Sequence, residues 1–101
     1  MTSINGTAIR KVVVACDAGM GSSVMLASQL RRQLGKAVTV EHTPVASIPA
    51  DADVVVVHKG LADRARASAP DKVILPVQVF IGDPAVTTLV NAVKNGTDLH
   101  G

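Results

Sequence analysis

The sequence predicts a small α/β domain, a mainly parallel sheet with helices on its faces. Three observations predict it. Short Val-rich runs recur at Lys11-Val12-Val13-Val14-Ala15, at Asp53–His58 and at Val73-Ile74-Leu75, and unbroken aliphatic runs of this length suit strands buried on both faces. Segments between and after them carry apolar residues at helical spacing: Leu26, Leu30 and Leu34, then Val86, Leu89, Val90 and Val93. Hydrophobic residues make up 48% of the chain but aromatics only 1%, so the core must be built from Val, Ile, Leu and Ala. A chain of 101 residues suits one domain, burying roughly two-thirds of the surface its unfolded form exposes.

Taken in order, residues 1–9 are polar and read as a flexible N-terminal segment. Lys11–Ala15 is the first strand. Cys16 to Gly21 holds two glycines and reads as a loop, after which Ser22 or Ser23 can cap a helix. The Leu26, Leu30, Leu34 face belongs to that helix, and Gly35 stands where a helix C-terminal glycine belongs. Ala37–Glu41 is a second strand, with Val38 and Val40 alternating with polar neighbours. Thr43–Ala52 carries Pro44 and Pro49 and reads as a loop with room for one helical turn. Asp53–His58 is the third strand. Gly60–Ala69 is a short helix closed by Pro70, and Val73–Leu75 is the fourth strand. Val77–Asp83 has no clear pattern. Pro84 suits the first turn of a last helix running to Asn95, with Gly96 as its stop. Residues 96–101 read as a flexible tail. Strands alternating with helices give a parallel sheet, whose carboxyl edge is where open α/β folds bind ligands.

Composition excludes several classes. The formal charge is +2 and no basic run exceeds two residues, so nucleic acid is not expected as a partner. One Phe and no Trp or Tyr leave no platform for stacking bases. The single cysteine precludes an internal disulfide and fits a reducing compartment. The N-terminus lacks the apolar core of a signal peptide, and no stretch approaches the ~20 apolar residues of a membrane span. The expectation is a cytoplasmic domain. His42, His58 and His100 have no metal-ligand spacing, so no metal site is expected.

The chemistry concentrates in Cys16-Asp17-Ala18-Gly19-Met20-Gly21-Ser22-Ser23. A thiol at a strand end is followed by a glycine-bearing turn and a helix. Successive N–H groups of such a turn can converge on an anion, and a helix N-terminus adds unpaired N–H groups and a positive dipole end. The same field favours thiolate over thiol. Donors that stabilise the thiolate can also hold the equatorial oxygens of a transferring phosphoryl group. Gly19 and Gly21 let the backbone approach it; Ser22 and Ser23 can add hydroxyl donors. Asp17 is expected to point outward, since a second anion would raise the thiol pKa. A lone cysteine at a strand end is also a common small buried hydrophobe, so this pattern admits a purely structural reading too.

Known loop types separate the possibilities. A Walker loop ends Gly-Lys-Ser/Thr, whereas Gly21 is followed by Ser22. A dinucleotide fingerprint needs glycine at position 24, which is Val. Low-molecular-weight cysteine phosphatases carry Arg six residues after the cysteine, where this chain has Ser22. Without that arginine to clamp the phosphate, the loop suits carrying a phosphoryl group better than hydrolysing an ester.

These residues, following a Val-rich strand, resemble the phosphorylation loop of mannitol-type IIB proteins of the phosphoenolpyruvate-dependent sugar phosphotransferase system. The resemblance runs from about Arg10 to Asn95 and includes the Val54–Val57 strand ending in His58 and the Leu61…Asp63-Arg64-Ala65 segment. Lactose, cellobiose, galactitol and ascorbate IIB proteins share the strand–Cys–loop–helix plan with other loop letters. The resemblance implies a three-layer sandwich with a four-stranded parallel sheet in order 2-1-3-4, flanked by helices, and a IIB domain over residues 10–95. It implies that Cys16 takes phosphate from a phosphohistidine on a IIA protein and gives it to mannitol held in a membrane IIC protein, with residues 17–23 as the phosphate cradle. No cofactor is implied, because the phosphoryl group arrives activated. Close relatives commonly carry an acidic residue at the position of Gly60 and often Arg at that of Lys59, so this chain departs from the pattern at Gly60.

His58, at the same sheet edge as Cys16, is an accessory candidate: a phosphoryl contact, a second acceptor, or a partly solvated strand-end histidine. Lys59, Arg64 and Arg66 form either a basic surface for an acidic partner or a solvated helix face. Met20 is a candidate partner contact, whereas Met25 is assigned to the core. The domain is expected as a monomer or part of a larger transporter assembly. The rival functions are a cysteine-dependent phosphatase or arsenate reductase, and a IIB-like module that binds a regulator.

Overall fold

The computed structural model describes residues 3–16, 21–78 and 84–100. Among these residues, six strands and three α-helices follow one another as β1 (Ser3–Asn5), β2 (Lys11–Cys16), α1 (Gly21–Leu34), β3 (Thr39–Pro44), β4 (Val54–His58), α2 (Ala62–Ser68), β5 (Val73–Val77), α3 (Pro84–Asn95) and β6 (Asp98–His100). Strands β3-β2-β4-β5 form a four-stranded sheet, parallel throughout. Once β1 is added to the numbering, this arrangement is compatible with the expected one.

The alternation of side chains along each strand divides the core in two. Val12, Val14, Val54, Val56, Val73, Leu75 and Val77 pack with Leu26, Leu30 and Leu34 of α1 and Val86, Leu89 and Val90 of α3. On the other face Val13, Ala15, Val55, Val57 and Ile74 pack with Ala62 and Ala65 of α2, Val45 and Ala52. Val54 to Val57 have no exposed surface at all, which is why that strand shows no polar alternation. Each of these valines removes from water an area worth about 1.5 kcal/mol or more of transfer free energy.

Boundaries differ from expectation where local chemistry competes. α1 begins at Gly21, so Ser22 and Ser23 lie within its first turn rather than preceding it. β3 runs through Pro44, three residues beyond the expected Glu41; an edge strand tolerates proline because its outer N–H positions need no ladder partner. The loop after it contains the expected helical turn, a 3-10 turn at Val45–Ser47. A further 3-10 turn, Lys59–Leu61, leads into α2. Gly35 and Gly96 adopt φ of +71° and +68°, the left-handed conformation that ends a helix without steric penalty.

The polar ends, expected as a flexible segment over 1–9 and a tail over 96–101, contain strands that pair with each other. β1 and β6 run antiparallel, Ser3 opposite His100, Ile4 opposite Leu99 and Asn5 opposite Asp98. Leu99 supplies the physical reason: it is buried in the α1/α3 core, against which Ile4 also packs. Asn5 then ties the ribbon, its side-chain amide donating to the Gly96 carbonyl at 3.0 Å and to Asp98 Oδ1 at 3.0 Å. Gly6 donates its N–H to the Thr97 carbonyl at 2.8 Å. No larger residue fits there, since a Cβ at Gly6 would stand 1.7 Å from the Ala92 carbonyl oxygen.

Candidate functional site

Cys16 is the last residue of β2. It is in register with Pro44 of β3, and Ala15 is in register with Val57 of β4. Cys16 and His58 therefore each stand one residue beyond the Ala15–Val57 row, ending neighbouring central strands about 4.8 Å apart. His58 is in turn in register with Val77, the last residue of β5. One row at the carboxyl edge thus carries Pro44, Cys16, His58 and Val77.

The chain returns from this edge in α1, whose first turn is Gly21, Ser22 and Ser23, with no acidic residue in it. The N-terminal N–H groups of the helix and the positive end of its dipole lie toward this edge, and the first turn itself holds no carboxylate. At the far end of the helix Arg31 and Arg32 occupy the last turn, where positive charge is favourable. Of the residues 17–23 expected as a cradle, Gly21, Ser22 and Ser23 stand at the start of this helix; Asp17, Ala18, Gly19 and Met20 lie outside the described residues.

His58 is half-buried and caps the 3-10 turn that follows it. Its Nδ1 accepts the backbone N–H of Gly60 at 3.2 Å. The ring has the strand parity of Val54 and Val56, which face α1 and α3. Lys59, Arg64 and Arg66 are exposed; Arg66 approaches Asp63 one turn earlier, Nη1 to Oδ1 3.5 Å, an exposed pair of small energetic weight. His42 is exposed on β3, and His100 lies in β6 rather than a tail. Among the described residues, no group of three or more His, Cys, Asp or Glu is placed to hold a metal ion.

The assignment of Met25 to the core is corrected. Met25 is 61% exposed and Val24 49% exposed, beside the buried Leu26. At 100° per residue Met25 and Val24 fall off the Leu26–Leu30–Leu34 stripe, so an exposed apolar pair stands where the first turn of α1 passes into the second. Sequence reasoning also missed a polar cluster at the opposite, amino edge of the sheet. Lys11 Nζ lies 2.9 Å from Asp51 Oδ1 and 3.2 Å from Glu41 Oε1. The bond to Asp51 raises the Lys11 pKa, and the same bond holds the Asp51 carboxyl below its ordinary 3.8. Asp53 accepts the N–H groups of Arg10 and Lys11 at 2.8 and 3.0 Å, fixing the entry to β2. Acidic residues before a buried strand were the available signal for this cluster, which is far from the Cys16 edge and serves the fold.

Comparison with known proteins adds to this geometry. The family described as "PTS system, Lactose/Cellobiose specific IIB subunit" matches residues 11–92. Among curated proteins, the PTS system mannitol-specific EIICB component of Bacillus subtilis (strain 168) is 38% identical over 96 residues, covering 92% of this chain and 20% of the relative. The mannitol-specific cryptic EIICB component of Escherichia coli (strain K12) is 41% identical over 86 residues, 82% of this chain and 18% of the relative. The mannitol-specific EIICB component of Staphylococcus aureus (strain COL) is 41% identical over 90 residues, 85% of this chain and 18% of the relative. The chain spans about a fifth of the length of such relatives.

Proposed function

Because the chain belongs to the IIB family of the sugar phosphotransferase system, with mannitol-specific EIICB components among its relatives, we propose that Cys16 is its phosphoryl carrier. The donor is a phosphohistidine on a IIA protein, and the acceptor is a sugar alcohol, mannitol, held in a membrane IIC transporter. The observation that carries this reading is the placement of Cys16 at the end of a buried central strand, with an acid-free helix N-terminus following. In the first step the Cys16 sulfur attacks phosphorus. The S–P bond forms, the P–N bond breaks, and the thiol's proton ends on the leaving imidazole nitrogen. In the second step a sugar hydroxyl oxygen attacks, the S–P bond breaks, and the hydroxyl proton balances the released thiolate. Backbone N–H groups of residues 17–23 and the hydroxyls of Ser22 and Ser23 hold the phosphoryl oxygens throughout. The transfer needs no metal or organic cofactor of its own.

The working unit is the IIB domain expected over residues 10–95 together with the β1–β6 ribbon that completes its core, acting at the inner face of the membrane as a monomer or within a larger transporter assembly. Val24 and Met25, exposed next to the Cys16 loop, are the apolar contact for the IIA partner, a role that suits the adaptable thioether of Met25. Ser22 in place of a phosphate-clamping arginine favours carriage over hydrolysis. Intact-mass measurement after incubation with phosphoenolpyruvate, the general phosphotransferase proteins and a mannitol-type IIA tests the proposal. One phosphoryl adduct is expected, lost in Cys16→Ser. Absence of the adduct with a phosphorylated IIA present would refute it.

A further inference from the structure

The hydrogen bond between Gly60 and His58 decides which imidazole nitrogen carries the proton in the neutral ring. A neutral imidazole has one N–H donor and one lone-pair acceptor. Nδ1 of His58 accepts the Gly60 N–H at 3.2 Å, so in the neutral ring the proton resides on Nε2. The bond is built into the chain path. His58 has the extended φ and ψ of a cap, −61° and 140°, and its side chain serves the turn Lys59–Leu61. A Cβ at Gly60 would stand 3.3 Å from Nδ1, tight enough to disturb the ring, so glycine gives the amide an unobstructed approach.

Resting on Cys16 as the acceptor, we propose that His58, held as the Nε2–H tautomer by the Gly60 amide, donates a hydrogen bond to the phosphoryl group on Cys16 and is not a second acceptor through Nδ1. Two placements and one chemical argument support this. The two residues end neighbouring parallel strands one step beyond the same register row. His58 lies on the α1 side of the sheet, where the helix N-terminus approaches the edge. A phosphoryl dianion gains most from donors, and a neutral Nε2–H supplies one without an opposing lone pair. The Nδ1 lone pair, already used by a backbone donor, is withdrawn from nucleophilic attack.

Two side chains separate the turn-capping role from the phosphoryl contact. Asparagine places an oxygen near the Nδ1 position, keeping the acceptor for Gly60, and removes the Nε2–H donor. Glutamine can place an amide nitrogen near Nε2 and gives up the cap. With a phosphorylated mannitol-type IIA as donor, His58→Asn is expected to keep its thermal midpoint while phosphoryl transfer to Cys16 slows about 10- to 100-fold, the range for losing a hydrogen bond to a charged group. His58→Gln is expected to recover part of that rate despite a lower midpoint. Long-range 1H–15N spectra of the unphosphorylated wild type should show the Nε2–H tautomer. A wild-type rate in His58→Asn, an Nδ1–H tautomer, or phosphohistidine at His58 would each overturn the inference while leaving the carrier reading standing. Absence of a Cys16 adduct in the wild type would overturn both.

Discussion

At the scale of single residues, Lys11 and Asp51 show how an exposed pair writes itself into pH behaviour. The Asp51 carboxyl is held low, first by its hydrogen bond to Lys11. Its contribution is present above the unfolded value of 3.8 and is lost as pH falls through the lower folded value. The Lys11 contribution runs the other way, complete below 10.5 and lost as pH rises through its raised folded value. Titration of Asp51 by carboxyl-detected NMR should give a midpoint below 3.8 that returns toward it in Lys11→Met; an unmoved midpoint would show the pair is not formed in solution. Met25 makes a second point at this scale. Met25→Asp should leave the fold intact, because the side chain is largely solvated, while raising the concentration of phosphorylated IIA needed for half-maximal transfer. Unchanged dependence on IIA would move the docking surface elsewhere. The role proposed for Cys16 rests on the letters around it, whereas the exposure of Met25 was not legible, because it depends on angular position relative to the leucine stripe. The capping bond of His58 was also hidden, since a backbone donor leaves no mark on the sequence.

At the scale of elements, the strands and helices that bury aliphatic stripes were readable from periodicity alone. Val54–His58 and Pro84–Asn95 follow their patterns closely. The strands β1 and β6 were not readable: three residues each, they form through a pairing 93 to 97 positions apart and one buried leucine, neither of which local pattern reports. The 3-10 turn that His58 caps was likewise merged into the helix after it. Gly6 offers the sharpest test of the ribbon. Gly6→Ala should cost about 2 kcal/mol, as overpacking against a fixed backbone does, seen as a lower urea midpoint at constant slope. A neutral substitution would mean that the turn Gly6–Ala8 after β1 does not sit against α3. Arg31 has a related role at the other side of the sheet, donating Nε–H to the Val40 carbonyl at 3.0 Å. That contact occupies a carbonyl on the edge strand β3, where an open row of backbone groups invites pairing with another chain.

At the scale of the whole molecule, the two ends of the sheet divide the labour. The amino edge is locked by Lys11, Asp51 and Asp53, with Lys72 Nζ bonding the Ala50 carbonyl nearby. The carboxyl edge presents Cys16, His58 and the start of α1. Leu99→Ala tests whether the ends of the chain belong to the same cooperative unit. Removing a fully covered leucine should cost roughly 2–5 kcal/mol, with β1, β6 and the central sheet melting together by hydrogen exchange; separate melting of the ribbon would make it an appendage. The pairing of Ser3–Asn5 with Asp98–His100 has a kinetic consequence as well. It closes the stretch from Ser3 to His100 into one loop, the largest chain-entropy cost of any strand pairing among the described residues, so it is expected to form after the β-α-β units have condensed. A circular permutant of this domain that joins residue 101 to residue 1 by a short linker turns this distant contact into a neighbouring one, and such a chain should refold faster than the unpermuted domain.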